Sequence, residues 1–249
     1  METRALTWDG CVNVRDLGGH RTEDGSVTRF GRVVRADSVR QLSEDGWAAL
    51  VEYGVRTVVD LRFRSELEAD APRDLPVDLV HVSLFGEPSD ERGERLEALS
   101  AAAGDGAAGT RAVYLALLAE NRRQVAEAVA AVGRAREGVV VVHCHSGRDR
   151  TGLVTALLLR LTGVSREDVA ADYALSGRNL QLLIDRWVAE AQDELERDRR
   201  RRLGATPAEA MLGVLEELED RHGDVRGYLR TGGASDDVLD GACARLLRA

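Results

Sequence analysis

His143-Cys144-His145-Ser146-Gly147-Arg148-Asp149-Arg150-Thr151-Gly152 joins the run Val139-Val140-Val141-Val142 to the apolar stretch Leu153–Leu161. The first flank has the β-branched composition of a buried strand, the second the composition and length of a helix. The decapeptide is therefore a loop at a helix N-terminus, where backbone N–H groups converge on a space the size of a phosphate dianion. A thiol, Cys144, and a guanidinium, Arg150, stand six positions apart on that loop. Arg150 adds a planar fork able to hold two phosphate oxygens at once, and Cys144 faces the phosphorus from within the cradle. No Gly-x4-Gly-Lys-Ser/Thr nucleotide loop occurs to compete with this reading.

Each residue type has a task in thiol-dependent hydrolysis of a phosphate ester. The nucleophile must be a thiolate. Around it, the N–H groups of the loop (His145, Ser146, Gly147, Arg148 and Gly152), the helix end and Arg150 all favour the anion. Attack forms a phosphocysteine that water then cleaves, dividing one slow step into two. The same donors meet the charge that develops on the equatorial oxygens. Thr151 is suited to donate its hydroxyl to the sulfur as the thiolate leaves. Gly147 and Gly152 permit the tight curl and the close approach to the helix. This chemistry calls for no metal and no cofactor. His143 and His145 alternate at a strand end and lack the further His/Cys cluster of a metal site. His143 is expected to hydrogen-bond within the loop and His145 to line the pocket rim.

Other stretches share one pattern with this loop: Asn13-Val14-Arg15-Asp16-Leu17-Gly18-Gly19, Asp60-Leu61-Arg62 followed by Ser65-Glu66, Ala171-Asp172-Tyr173-Ala174-Leu175-Ser176 with Asn179-Leu180, and Tyr228-Leu229. From about Val12 to the C-terminus the chain resembles the bacterial tyrosine phosphatase family of atypical dual- and triple-specificity enzymes, whose loop reads His-Cys-x-x-Gly-Lys-Asp-Arg-Thr-Gly. The resemblance implies a phosphatase acting on phosphotyrosine, and on phosphoserine, phosphothreonine or phosphoinositides where specificity is broader. It also implies that Asn13, Arg15 and Asp16 support the loop from behind. Arg148 stands where the family usually has Lys, a residue linked there to phosphoinositide headgroups. The chain contains no lysine at all, so the exchange carries no reading of specificity.

A carboxylic acid must protonate the leaving oxygen. The resemblance points to Asp149, inside the loop. Asp60 is the alternative, at the C-terminal end of a parallel strand, where ligands bind in open α/β sheets. Asp60 and Arg62 can instead form a salt bridge that only supports the loop.

A chain of 249 residues is long enough for a single α/β domain with a substantial core, residues 1–249. Strand candidates at Gly31–Arg35, Val55–Leu61, Leu79–Leu84 and Val139–Val142 alternate with helical patterns such as Ser43–Tyr53 and Ala112–Ala131. That alternation predicts a mostly parallel central sheet flanked by helices, and after Gly163 the pattern is almost wholly helical. Residues 86–130 are set apart by a polar start, Glu87–Gly93, and an Ala/Gly-rich stretch, Ala101–Gly109. The resemblance implies a lid of helices there, with Ala107-Ala108-Gly109 as its hinge. A flexible surface insertion is the alternative.

A formal charge of −9 argues against a nucleic-acid partner. The expected partner is a phosphorylated protein or a phosphoinositide. Arg197-Asp198-Arg199-Arg200-Arg201-Arg202 would attract anionic headgroups or, more commonly, end a solvated helix, so membrane association is peripheral if it occurs. No signal peptide or membrane span is legible. Three cysteines, Cys11, Cys144 and Cys243, suit a reducing cytoplasm, with signal-less export left open. Cys11 is a candidate partner for an oxidised Cys144. The competing functional class is a non-catalytic phosphate-binding module, and the intact Cys144, Arg150 and Thr151 favour the enzyme.

Overall fold

The computed structural model describes residues 3–70, 77–104 and 106–247. Among these residues, β1 (Arg15–Asp16), β2 (Val33–Ala36), β3 (Val55–Asp60), β4 (Asp78–His81) and β5 (Val139–His143) form one sheet in the order β1-β2-β5-β3-β4. β2, β5, β3 and β4 run parallel, and β1 closes one edge antiparallel to β2. The helices are α1 (Glu44–Glu52), α2 (Arg64–Glu68), α3 (Asp90–Ala102), α4 (Gly106–Glu120), α5 (Arg122–Arg134), α6 (Asp149–Leu161), α7 (Arg166–Ala189), α8 (Glu194–Gly204), α9 (Ala208–His222), α10 (Val225–Thr231) and α11 (Asp236–Leu247). The α/β class and the mostly parallel sheet expected from the sequence are therefore present.

Parallel strands covered on both faces read as unbroken apolar runs, and β5 is buried throughout. Its side chains alternate between two cores. Val140 and Val142, with Val33 and Val59, join the larger core with Leu118, Val129, Leu157 and Leu215. Val139 and Val141, with Val34, Ala36, Val55 and Val58, meet Trp8, Trp47 and Leu50 on the other face. By the same period of two, Arg35 of β2 is delivered to the larger-core side, fully buried. Ala36, His143 and Asp60 lie level across three adjacent strands, so the C-terminal ends of β2, β5 and β3 form one rim. The loop after β5 leaves from that rim.

Three expectations need correction. The fourth strand stops at His81 rather than Leu84. The helix expected over 112–131 is two helices, separated at Asn121 (φ −118°, ψ 31°). Asn121 Nδ2 donates to the carbonyl of Leu117 at 2.7 Å and finishes α4, a local bond hidden within an Ala/Leu/Val-rich run. Ala107-Ala108-Gly109 lies inside α4 and is no hinge. The chain reverses before it, at Gly104 (φ +93°), and Asp105 of that Ala/Gly stretch lies outside the described residues. α4 is pinned to the core through buried Tyr114, Leu117 and Leu118, and Tyr228 donates its hydroxyl to the Leu118 carbonyl at 2.8 Å. α3, in contrast, buries no residue.

α5 and α11 cross so closely that a Cβ on Gly133 would stand 2.3 Å from the Val238 carbonyl oxygen. Alanine is the better helix former by about 1 kcal/mol. Gly133→Ala is nonetheless expected to destabilise the fold by about 1–3 kcal/mol through overpacking, read by chemical denaturation. A stabilised variant would show that the two helices do not pack this closely.

Candidate active site

The residues after β5 are held by their carbonyls. His143 Nδ1 donates to the Cys144 carbonyl (3.1 Å), and the Ser38 N–H donates to the His145 carbonyl (2.9 Å). Asn13 Nδ2 donates to the Ser146 carbonyl (3.0 Å), and Arg35 Nη2 to the Gly147 carbonyl (2.8 Å). The peptide bonds are trans, so each N–H points opposite to the carbonyl of its own peptide unit. Tying four successive carbonyls outward therefore turns the N–H groups of His145, Ser146, Gly147 and Arg148 inward, as an anion nest. Gly147 is required on two counts. Its φ is +66°, and a Cβ would lie 2.5 Å from the Ala36 carbonyl oxygen. Cys144 is buried at the base of this curl, and His145 is exposed at its edge.

Two of the four tethers lead back to Asp172 of α7. Arg15 reaches its carboxylate through Nε (2.9 Å) and Nη2 (3.1 Å), and passes Nη1 to Asn13 Oδ1 (2.8 Å). Arg35 reaches it through Nη1 (2.8 Å). Both guanidinium groups also donate to Ser176 Oγ at 3.1 Å. Burial works against the Asp172 charge, but Arg15 and Arg35 hold its carboxyl well below the usual carboxylate range. Burial beside Arg15 brings Arg35 down to about 10, still a cation at neutral pH.

Arg150 projects from the first turn of α6. Its Nη1 and Nη2 donate to Glu66 Oε2 (2.5 Å) and Oε1 (3.1 Å), and its plane lies over the Phe63 ring at 4.4 Å. Glu66 also accepts from the Phe63 N–H (2.7 Å), so one carboxylate both caps α2 and aims the fork. A guanidinium has five N–H donors. Glu66 engages two, leaving three for a phosphate. Asp60, at the end of β3, accepts from Arg62 Nε (3.1 Å) and Nη2 (2.8 Å), and faces His143 Nε2 at 3.3 Å. Arg62 continues to Asp70 at 2.7 Å. Burial opposes the Asp60 charge, but His143 and Arg62 hold this carboxyl, too, well below its usual range. Arg62 is thus enclosed by carboxylates and does not line an open basic pocket.

Asp149 Oδ1 accepts from the Tyr114 hydroxyl at 2.5 Å, and Arg148 Nε lies 3.0 Å from Oδ2. Thr151 is fully buried with its hydroxyl unpartnered among the described residues. Gly152, expected to bind phosphate, donates its N–H to the Arg148 carbonyl at 2.9 Å, within the helix. It instead permits Tyr173 to pack close, since a Cβ would lie 3.0 Å from that ring. Asp16, expected beside the loop, organises its own turn. It accepts from the N–H groups of Gly18 (2.6 Å) and Gly31 (2.9 Å) and from the Tyr53 hydroxyl (2.8 Å). Cys11 Sγ lies 3.5 Å from the Ser38 carbonyl oxygen. Burial, then Asp37, push its thiol upward, against use as a thiolate. Sequence reasoning assigned no role to Glu66, Asp172, Arg35, Ser176, Tyr114 or Tyr173. Asp172, Tyr173, Ser176 and Glu66 stood in recognised stretches, which was the only signal available.

Removing one member of a buried ion pair costs about 3–5 kcal/mol. Asp172→Asn should lower stability by that order at pH 7 and weaken binding of orthovanadate. The native carboxyl groups of Asp172 and Asp60 titrate below the unfolded value. Their stabilisation is complete above about pH 4 and is lost as pH falls through the native values. The gap between wild type and Asp172→Asn should therefore narrow below about pH 4, measured by denaturation at stepped pH. A gap independent of pH down to the acid transition would contradict the charge assignment.

The model of the tyrosine phosphatase family matches residues 6–248. The chain is 26% identical to a tyrosine-protein phosphatase of Nostoc commune, over 86% of this chain and 73% of that protein. It is 25% identical to the triple specificity protein phosphatase PtpB of Mycobacterium tuberculosis, over 93% of this chain and 95% of that protein. With the thiol, the outward-tied loop and the aimed guanidinium in one place, and the family match running through nearly every residue, the chain belongs to the tyrosine phosphatase family and is a cysteine phosphatase.

Proposed function

We propose that the protein hydrolyses phosphate monoesters of tyrosine through a phosphocysteine on Cys144. The observation that carries the reading is the set of four outward-tied carbonyls, which aims four N–H groups at the space in front of the sulfur. The substrate phosphoryl group sits on that nest and on the free edge of Arg150. Cys144 Sγ attacks phosphorus in line with the ester oxygen; the S–P bond forms as the P–O bond breaks. Asp149 gives its proton to the leaving oxygen. Water then attacks phosphorus while the Asp149 carboxylate takes its proton, and the P–S bond breaks to restore the thiolate. The unpartnered Thr151 hydroxyl supplies a hydrogen bond to the departing sulfur.

Asp60, the alternative acid, is better suited to positioning. It is 1% exposed and held as a carboxylate by His143 and Arg62, so it has no proton to give. Through His143 it steadies the Cys144 carbonyl instead. Asp149 is nearer to solvent, 37% exposed, and opens α6 directly after the loop.

Action on phosphoserine, phosphothreonine and phosphoinositides is proposed from the M. tuberculosis relative, whose name records triple specificity. Arg148 would supply the extra positive charge for a polyphosphorylated headgroup. The arginine run of α8 gives this extension little support. Arg197, Arg199, Arg200 and Arg201 are paired with Glu194, Glu97, Glu196 and Asp198. No described helix is long and apolar enough to cross a membrane, and any lipid contact is peripheral.

Hydrolysis of para-nitrophenyl phosphate in the presence of EDTA checks the core of this reading. Wild type should turn over and be inhibited by vanadate, and Cys144→Ser should lose activity by about 10⁴-fold or more. Wild type that binds vanadate without turnover would indicate the non-catalytic binding module.

A further inference from the structure

Tyr114 comes from α4, in the segment set apart by its composition, and touches the proposed acid directly. It is 3% exposed, and its hydroxyl lies 2.5 Å from Asp149 Oδ1 and 2.9 Å from the Tyr173 hydroxyl. The two rings meet edge to face, with centroids 6.1 Å apart and planes at 81°. A phenol has one proton to donate. Burial, reinforced by Asp149, pushes the Tyr114 hydroxyl well above its ordinary value, and burial does the same for Tyr173, so both stay neutral. An ionised carboxylate can only accept. The Tyr114 proton therefore points to Asp149, and Tyr173 donates to the Tyr114 oxygen. The result is a relay of fixed sense, Tyr173 to Tyr114 to Asp149 Oδ1, in which each bond strengthens the next.

We propose that Tyr114, oriented by Tyr173, is a positioning residue that fixes which oxygen of Asp149 delivers the proton to the leaving group. This rests on the assignment of Asp149 as the acid. With Oδ1 occupied by the Tyr114 hydroxyl, the transferable proton resides on Oδ2. Arg148 Nε spans both oxygens, 3.0 Å from Oδ2 and 3.2 Å from Oδ1, so the Tyr114 hydroxyl is the contact that distinguishes them. Protonation on Oδ2 leaves the Tyr114 bond to Oδ1 intact. The carboxyl group thus keeps its orientation in both half-reactions, giving a proton to the ester oxygen in the first and taking one from water in the second. α4 is pinned by Leu117, Leu118 and the Tyr228 bond, so the phenol is presented from a rigid element. Helix α4 thereby completes the acid's geometry.

Leaving-group dependence separates this role from a merely structural one, since an acid matters most when the departing oxygen is strongly basic. The rates of nitrophenyl, phenyl and alkyl phosphates should be compared in wild type, Tyr114→Phe, Tyr173→Phe and Asp149→Asn. Tyr114→Phe keeps the ring and its packing. It should lower kcat on alkyl phosphates by about 10- to 100-fold while leaving para-nitrophenyl phosphate within about twofold, with vanadate affinity unchanged. Tyr173→Phe should show a smaller loss with the same dependence. Equal losses on all esters, or none, in Tyr114→Phe would overturn the proposal provided Asp149→Asn shows the steep dependence. A flat dependence in Asp149→Asn would instead overturn the acid assignment on which it rests.

Discussion

Four consecutive carbonyl groups must face away from the phosphate position before anything else in this site can work. A peptide unit has two polar ends, and a loop left to itself would turn some of each inward. Here an imidazole, a backbone N–H, an amide and a guanidinium each fix one carbonyl. They come from β5, the turn after β2, the N-terminal segment and the interior of β2. The nest is thus assembled by several parts of the chain and is preorganised in the sense that matters for charge stabilisation: its donors need no reorientation as the transition state forms.

The cost of this arrangement is charge buried where hydrophobic residues would be cheaper. Arg15, Arg35 and Asp172 are each at most 2% exposed, and a buried ion pair seldom stabilises a fold better than well-packed apolar groups. What this cluster supplies is geometry. The two-residue period of β2 sends Arg35 into the larger core, α7 brings Asp172 to meet it, and the second nitrogen of the same guanidinium reaches the Gly147 carbonyl. Helix α7, remote in sequence from the N-terminal strands, is fastened to them through the back of the catalytic loop. A smaller network under the other end of the loop, His143-Asp60-Arg62-Asp70, follows the same logic.

Much of this was legible in the chain because the signals are local. Val139–Val142 followed by a Cys-x5-Arg loop and an apolar helix fixes a strand, a turn and a helix in succession, and the alternation of such units sets a parallel sheet. Cys144 on that loop and Asp149, Arg150 and Thr151 in the first turn of α6 fall together in one short stretch. The residues that were not legible act across long sequence separations. Glu66 meets Arg150, and Tyr114 meets Asp149, through contacts that exist only after the helices have packed. Asp16 and Gly152 illustrate the reverse error. Each sits in a recognised stretch, yet Asp16 accepts from Gly18, Gly31 and Tyr53, away from the catalytic loop, and the Gly152 N–H is bonded within its helix. The division at Asn121 has no sequence signal, because a single side chain bonding to the preceding turn ends one helix inside an otherwise uniform run.

Catalysis through Cys144 requires a covalent bond between phosphorus and that one sulfur. Wild-type protein mixed with excess para-nitrophenyl phosphate, quenched rapidly in acid and mapped by mass spectrometry, reads it directly. A phosphoryl adduct is expected on the peptide carrying Cys144, formed as fast as nitrophenol is released and absent from the peptides carrying Cys11 and Cys243. Steady turnover with no adduct at Cys144 at any quench time, and with Cys144→Ser still active, would contradict it.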